Sequence, residues 1–233
     1  PCGCHPVYGG KKVNAFEALL DLSAEEKKKR GVEFTPPEIA QQPSTWNKLA
    51  RILQKRRTDI SRFMRASGMT GRKESTIVLT GAGTSEFIGN SIVNALRREL
   101  RREVISIPTT HLVTHAASTL VPSHSYVVIS FARSGNSPES VATFKLVKQV
   151  APSANQLVIT CNRNGALAKE AKKDPSSLCI ELPEETNDQS LAMTSSFSTM
   201  ALAGLGLAQM KKLDDFSDLT DRLGKAAYRI IVQ

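Results

Sequence analysis

The sequence predicts an α/β protein in which helices cover both faces of a five-stranded parallel sheet. Five short apolar runs carry this prediction, and stretches with helical patterning of about 20 to 30 residues separate them. Because the runs are apolar on both faces, they are typical of strands buried beneath helices. The chain has 233 residues, of which 40% are apolar and 23% charged, so it can bury an ordinary core and is not compositionally disordered.

The five predicted strands follow one another at regular intervals. They are TIVLTG at 76–81, VISIP at 104–108, SYVVISF at 125–131, QLVITC at 156–161 and SLCIEL at 177–182. The intervals are filled by helices predicted near 86–101, 110–119, 137–150 and 165–173. Each strand, helix and next strand then form a right-handed crossover. We therefore expect a three-layer α/β/α sandwich with the flavodoxin-like strand order 2-1-3-4-5.

Residues 1–43 are predicted to form an N-terminal arm outside the main domain. A short helix is expected near 14–22, and the proline-containing stretch TPPEIAQQP that closes the segment indicates extended chain. The main domain is expected at 44–212, and its first helix has Ser44 or Thr45 as candidate N-cap.

Two further helices are predicted at the end of the chain. The one at 191–207 is apolar and rich in small residues, so we expect it to need a partner surface, which predicts a homo-oligomer, either a dimer or a dimer of dimers. The other, at 213–233, stops without Gly, Asn or Pro, so we expect the natural polypeptide to continue beyond Gln233.

The net charge of +9 does not by itself indicate a nucleic-acid partner. The positive residues concentrate in KLARILQKRRTDISRFMR and LRRELRRE, which read as amphipathic helices with a solvated basic face. No recognition-helix, zinc-finger or aromatic RNA-binding pattern accompanies them, so we expect no nucleic acid as partner. Without an apolar run of about 18 residues or a secretory signal pattern, we expect no membrane partner and a cytoplasmic location.

The four cysteines point to structural thiols more than to a metal site. Cys161 and Cys179 lie inside apolar runs, where a free thiol behaves as a small buried hydrophobe. Cys2, Cys4 and His5 are close enough to be metal ligands, but no second Cys/His pair at zinc-site spacing is found. We expect no metal.

Two polar segments are predicted to meet at one crevice. In open α/β sheets, ligands bind beyond the carboxyl ends of the strands where the strand order reverses, which here lies between strands 1 and 3. Strand 1 leads into GAGTSEFIG and strand 3 into ARSGNSPES, each opening a helix whose N-terminal amides and dipole attract an anion. The candidate binding residues are Gly83, Thr84, Ser85, Arg133, Ser134, Asn136 and Ser137.

These segments favour a small phosphorylated ligand over a nucleotide. No Lys follows the glycines as in a Walker loop, and Glu86 replaces the last glycine of the dinucleotide fingerprint. Serine, asparagine and glycine also cap helices and form turns, but two such segments at the switch point favour binding. A third segment, NDQSLAMTSSFST, follows strand 5. Its hydroxyls at Thr194, Ser195 and Ser196 either close the pocket or ease close helix packing.

Five motifs in order resemble the sugar isomerase (SIS) domain: VLTGAGTS, PTTHLVT, ISFARSGNSPES, ITCNRNGAL and AMTSS. More narrowly they resemble bacterial tagatose-6-phosphate ketose/aldose isomerases, also described as galactosamine-6-phosphate deaminases, over residues 36 to about 212. The resemblance implies a phosphosugar site in which Ser134 and Ser137 match the phosphate-binding hydroxyls and Ser195 maps onto a third sugar-contacting loop. It implies no cofactor.

The resemblance also predicts what the protein does. We expect an isomerase or deaminase that converts galactosamine 6-phosphate to tagatose 6-phosphate; the alternative is a non-catalytic phosphosugar-binding or regulatory module. Family members carry two such domains and only one motif set occurs here, so we expect a second domain, with the main catalytic residues, beyond Gln233. Within the chain the favoured bases are Glu184 and Glu185, ahead of Glu86, Glu139, Asp188 and His111.

Overall fold

The parallel sheet was predicted correctly. The computed structural model describes residues 14–232. Its strands are β1 (Thr76–Gly81), β2 (Val104–Ser106), β3 (Tyr126–Ala132), β4 (Asn155–Thr160) and β5 (Ser177–Glu181). All four pairings are parallel, and the strand order is β2-β1-β3-β4-β5. The flavodoxin-like order is therefore confirmed, and the order reverses between β1 and β3.

Helices cover the sheet, and further helices precede and follow it in the chain. In chain order they are α1 (Ala15–Leu20), α2 (Ala24–Arg30), α3 (Thr35–Ala40), α4 (Gln42–Lys55), α5 (Arg57–Ala66), α6 (Thr84–Leu100), α7 (Thr109–Thr119), α8 (Pro138–Val150), α9 (Ala166–Lys173), α10 (Ser195–Ala208) and α11 (Leu213–Val232). A short 3₁₀ turn lies at Glu184–Thr186. The four predicted crossover helices correspond to α6, α7, α8 and α9.

The two faces of the sheet bury separate cores because side chains alternate along a strand. Ile77 and Leu79 of β1 point into the larger core, which α4, α6 and α10 cover. Val78 and its register neighbour Val128 point the other way, into a core shared with α7 and α8. All four side chains are fully buried, as the apolar character of both faces predicted.

The prediction of an extended stretch in the N-terminal arm was wrong. TPPEIAQQP forms α3 and the start of α4. Its prolines lie in the first turns of these helices, where backbone N–H groups have no intrahelical partner and proline therefore costs little. The predicted N-cap at Ser44 or Thr45 was also wrong, because α4 begins at Gln42. The boundary at residue 43 stays a prediction.

The apolar helix near the C-terminus is covered within the chain. It begins at Ser195, later than predicted, and buries Met200, Ala203 and Leu207 against α4 and α6. Gly204 allows this close approach, since a Cβ there would lie 2.4 Å from Ile92 Cδ1. The argument that this helix needs a second subunit is therefore removed. No helix among the described residues combines the length and apolarity needed to cross a membrane.

Candidate functional site

A cleft of about 260 Å³ opens beyond the carboxyl ends of β1 and β3. The first turn of α6 contributes Thr84 and Ser85, and the loop between β3 and α8 contributes Arg133, Ser134 and Ser137. These five side chains were predicted to converge because both strand ends lie at the switch point. The structure brings them together.

Two glycines shape the turn that aims α6 at the cleft. Gly83 has φ 56° and ψ −128°, a conformation that side chains disfavour. At Gly81 a Cβ would lie 2.5 Å from the carbonyl group of Ser85, so only glycine allows the chain to fold back this tightly. Gly83 therefore acts through the backbone, and it is the N-cap of α6 rather than a residue of the cleft wall.

The two serine hydroxyls of the β3–α8 loop differ in whether they already donate a hydrogen bond within the chain. Ser134 is exposed, and its Oγ accepts a bond from the backbone N–H of Asn136 at 3.3 Å. The hydroxyl proton of Ser134 is therefore free for a ligand. Ser137 is the N-cap of α8: it accepts from the Ser140 amide at 3.3 Å and donates to Ser140 Oγ at 2.6 Å. Ser134 is therefore the better donor to a bound anion.

Arg133 gives the cleft its positive charge. Its side chain is half-buried, and Nη1 donates to the carbonyl oxygen of Ser190 at 2.7 Å. Of the described residues that line the cleft, Arg133 alone carries an ionisable group. The dipoles of α6 and α8 add partial positive charge, because both helices begin at the cleft wall. An anion is the ligand that this arrangement favours.

The first part of the third segment predicted from the sequence, NDQSLAMTSSFST, forms the remaining wall. We call residues 188–194 the strap. Leu191 and Met193 line the cleft, and Ser85 Oγ contacts Met193 Sδ at 3.8 Å. Leu191 is 96% exposed, an unusual position for a leucine. No periodic signal distinguishes these two side chains in the sequence, so their role was missed.

Asp188, one of the candidate bases, instead caps helix α10. It is buried, and its carboxylate accepts bonds from the Thr194 amide, the Ser195 hydroxyl and both the amide and the hydroxyl of Ser196, at 2.5 to 2.8 Å. Two of these four donors, the Thr194 and Ser196 amides, are backbone groups at the start of α10 that would otherwise lack an intrahelical partner. Asp188 therefore has a structural role at the start of α10.

Two other predicted binding residues lie away from the cleft wall. Ser195 is fully buried; its hydroxyl donates to Asp188 and accepts from Gln41 Nε2 at 2.8 Å. Asn136 is exposed, and its Oδ1 accepts from the Ala166 amide at 2.9 Å, which caps α9. Direct contact of either side chain with a ligand stays a prediction that this geometry does not support.

Glu184 and Glu185 lie in the 3₁₀ turn after β5, and neither is among the described residues that line the cleft. Glu184 is exposed and pairs with Arg163 at 2.9 Å. Glu185 pairs with Lys48. Burial is the largest single influence on Glu185 and alone would raise its pKa, but the hydrogen bond and charge of Lys48 together with a backbone hydrogen bond outweigh it, so the pKa is lowered. A lowered pKa makes this carboxylate a weaker base.

The remaining candidate bases are also outside the cleft wall as the structure describes it. Glu86 and Glu139 lie half-buried in the first turns of α6 and α8. His111 and His115 are exposed on α7, with their rings stacked at 5.1 Å between centroids.

The described cysteines are free thiols, as predicted. Cys161 is buried and Cys179 half-buried. Burial raises the pKa of Cys161 to about 12 and that of Cys179 to about 11, so neither forms a thiolate near neutral pH. Residues 14–232 contain no group of three or more His, Cys, Asp or Glu side chains arranged as a metal site. Cys2, Cys4 and His5 lie outside the described residues.

Comparison with known families identifies the domain. The SIS domain family matches residues 72–210, more than half of the chain. The chain belongs to the SIS domain family. The SIS fold therefore supplies the sheet, the cleft and the strap, while α1 to α5 lie before the matched segment.

Individual relatives and solved structures show which proteins this chain is similar to. A Streptomyces coelicolor protein, provisionally named D-galactosamine-6-phosphate deaminase AgaS, is 43% identical over 197 residues, 84% of this chain and 50% of the relative. The crystal structure of tagatose-6-phosphate ketose/aldose isomerase from Escherichia coli matches with TM-score 0.76 and 36% identity, over 82% of this chain and 52% of that one. A Clostridium novyi structure provisionally given the same name has TM-score 0.87 and 33% identity, over 97% and 55%.

The SIS chain spans about half the length of these similar proteins. The resemblance read from the motifs is confirmed at the level of the family. The parallel α/β fold is confirmed as well.

Proposed function

We propose that this SIS chain binds a hexose 6-phosphate within an enzyme that converts D-galactosamine 6-phosphate to tagatose 6-phosphate, by isomerisation with hydrolytic loss of ammonia. The cleft between the N-termini of α6 and α8 carries the proposal. It combines Arg133 with the hydroxyls of Thr84, Ser85 and Ser134 in a space of about 260 Å³. The names of similar proteins support the same substrate class.

The phosphate group is proposed to lie against the two helix N-termini. There the Ser134 hydroxyl donates one bond, the Arg133 guanidinium supplies the opposing charge, and the first turn of α6 contributes Thr84 and Ser85. The sugar carbons then extend toward the strap, where Leu191 and Met193 form an apolar wall. Binding through the phosphate fixes the sugar so that a base can act on C1 and C2.

The chemistry requires ring opening and a base that moves a proton between C1 and C2; deamination then releases the C2 amine after water attacks the imine. No carboxylate or imidazole lines the cleft among the described residues. We therefore propose that the principal base comes from a second SIS domain outside residues 44–212, reached through α11. The half-length match to the similar proteins supports this proposal.

Location and assembly belong to the same proposal. The free thiols of Cys161 and Cys179 are consistent with a cytoplasmic protein. A homo-oligomer is supported by the exposed side chains of Phe87 in α6 and Leu191 in the strap, at 58% and 96% exposure. Sedimentation of a monomer at micromolar concentration would argue against self-association.

The experiment measures ammonia and ketose 6-phosphate formed from galactosamine 6-phosphate. It compares the chain of 233 residues with the product of the complete open reading frame. We expect the chain to bind the substrate and the complete product to release both compounds in equal amounts. Binding by both proteins without either compound would favour the alternative, a non-catalytic phosphosugar-binding module, which the lack of a base among the described lining residues also favours.

A further inference from the structure

A carboxylate from the N-terminal helices is buried against the strap. Glu38 lies in α3 and is 7% exposed. Its Oε1 accepts from the backbone amides of Gln189 and Ser190 at 2.5 and 3.1 Å. Its Oε2 lies 2.5 Å from the Ser190 hydroxyl, whose single proton is shared between Glu38 and the Ala192 carbonyl oxygen at 2.6 Å. A buried carboxylate is costly unless such donors satisfy it, so these contacts hold α3 and the strap together.

The strap residue that Glu38 holds also contacts the charged residue of the cleft. The carbonyl oxygen of Ser190 accepts a bond from Arg133 Nη1 at 2.7 Å. Glu38 fixes the amide and hydroxyl of Ser190, and Arg133 is fixed by the carbonyl of the same residue. A continuous line of hydrogen bonds therefore runs from α3, through one strap residue, to the guanidinium of Arg133, a residue that lines the cleft.

We propose that Glu38 is a positioning residue for the anion-binding cleft: it fixes the strap, and through Ser190 it fixes the orientation of Arg133. The functional site then extends into α3, which precedes the segment matched by the SIS family. This inference rests on the proposed function, because it concerns the affinity of the same cleft for a sugar phosphate. Glu38 touches no ligand in this account and acts only through Ser190.

The substitution Glu38→Gln tests the proposal with little change in volume. A glutamine presents one acceptor and one amide donor, so part of the side chain would face the strap donors with a donor of its own. The strap should loosen, and Arg133 should sample orientations that do not bind an anion. We expect the affinity for galactosamine 6-phosphate, measured by calorimetric titration, to fall about tenfold.

A matched control separates positioning from general loss of stability. Thr45 is fully buried in α4, and its hydroxyl lies 3.0 Å from Thr199 Oγ1 of α10. Thr45→Val should also lower the melting temperature, because it removes buried hydrogen bonds, yet those bonds go to Gln42 and Thr199 rather than to the strap. We expect this variant to bind the sugar phosphate within about twofold of the unaltered chain.

A double-mutant cycle provides the readout that a merely structural role would not change. In an Arg133→Ala background the guanidinium is gone, so Glu38→Gln should cause almost no further loss of affinity. Equal fold-losses in both backgrounds would overturn the positioning role, as would wild-type affinity of the Glu38→Gln single variant.

Two further measurements keep the outcomes distinct. Hydrogen exchange at the backbone amides of Gln189 and Ser190 should accelerate in Glu38→Gln without any ligand, and unchanged exchange would contradict the proposal.

Ser190→Ala serves if Glu38→Gln does not fold, because it removes one donor to Glu38. This variant should lower the affinity for the sugar phosphate two- to threefold, by about 0.5 kcal/mol. Unchanged affinity would contradict the proposal. An unaltered chain that binds no sugar phosphate would refute the proposed function, whereas normal binding by Glu38→Gln and Ser190→Ala, with affinity still lost in Arg133→Ala, would refute this inference alone.

Discussion

Residues 133–140 and residues 188–199 are both rich in hydroxyl side chains, and both lead into a helix, yet they use these hydroxyls differently. In the first segment Ser134 is exposed beside Arg133, and its proton is free for a ligand. In the second, Ser195 and Ser196 are fully buried and donate to Asp188. A buried carboxylate satisfies the second helix start from within the chain, whereas the Ser134 hydroxyl of the first segment has no such acceptor among the described residues.

The largest effect should come from removing that carboxylate. Asp188→Ala leaves four donors without their acceptor in a buried position, so we expect a loss of about 3 kcal/mol in the free energy of unfolding, measured by urea denaturation. Glu184→Ala is a suitable control, since Glu184 is exposed and its pair with Arg163 contributes little. A loss below 1 kcal/mol in Asp188→Ala would contradict its capping role.

The second effect concerns affinity. Arg133→Ala removes the single positive side chain among the described residues that line the cleft. We expect the free energy of binding to galactosamine 6-phosphate to weaken by about 2 kcal/mol, or roughly thirtyfold, in a calorimetric titration. Arg163→Ala removes an exposed arginine outside the lining and should bind normally. Equal losses in the two variants would show that net charge, not the cleft, governs binding.

A smaller difference should separate the serines of the two segments. Ser134→Ala should weaken binding of the sugar phosphate by about 1 kcal/mol, whereas Ser195→Ala should leave affinity unchanged and lower stability by a similar amount. Ser137→Ala is less clean, because Ser137 also caps α8. If Ser195→Ala lost affinity without losing stability, the third sugar-contacting loop expected from the family resemblance would be correct.

The smallest effect is expected at Glu185. Its pKa is lowered, so the Lys48 contact contributes stability above the unfolded-state pKa, and that contribution is lost as the pH falls through the folded-state pKa. Glu185→Gln should therefore flatten the dependence of stability on pH below about pH 4.5, with a loss near neutral pH of about 0.5 kcal/mol. A turnover loss exceeding about a hundredfold in the complete enzyme, with binding kept, would instead identify Glu185 as the base.

The sheet could be predicted because its signal is local. Each strand is a run of residues that are apolar on both faces, and the intervals are long enough for a crossover helix. The switch point then followed from the strand order, which placed Thr84 and Ser134 at one cleft without any knowledge of side-chain contacts. The prolines of TPPEIAQQP misled the prediction for a local reason too: proline breaks a helix interior but is tolerated in the first turn.

The rest of the site depends on contacts that a local pattern does not contain. Glu38 meets Gln189 across 151 residues of sequence, and nothing in the composition of α3 distinguishes it from a surface carboxylate. Ser195 has small and hydroxyl-bearing sequence neighbours, as the cleft serines do. Its hydroxyl is nevertheless bonded to Asp188, seven residues earlier in the chain. These assignments required the geometry of the strap.

The central claim is that the cleft at Thr84 and Ser134 recognises the phosphate of its ligand. Calorimetric titration of the same chain with galactosamine 6-phosphate and with unphosphorylated galactosamine tests it most directly. The account predicts that the phosphorylated sugar binds at least about a hundredfold more tightly, because the hydroxyls, the helix N-termini and Arg133 all act on the phosphate. Equal affinity for the two sugars would contradict it.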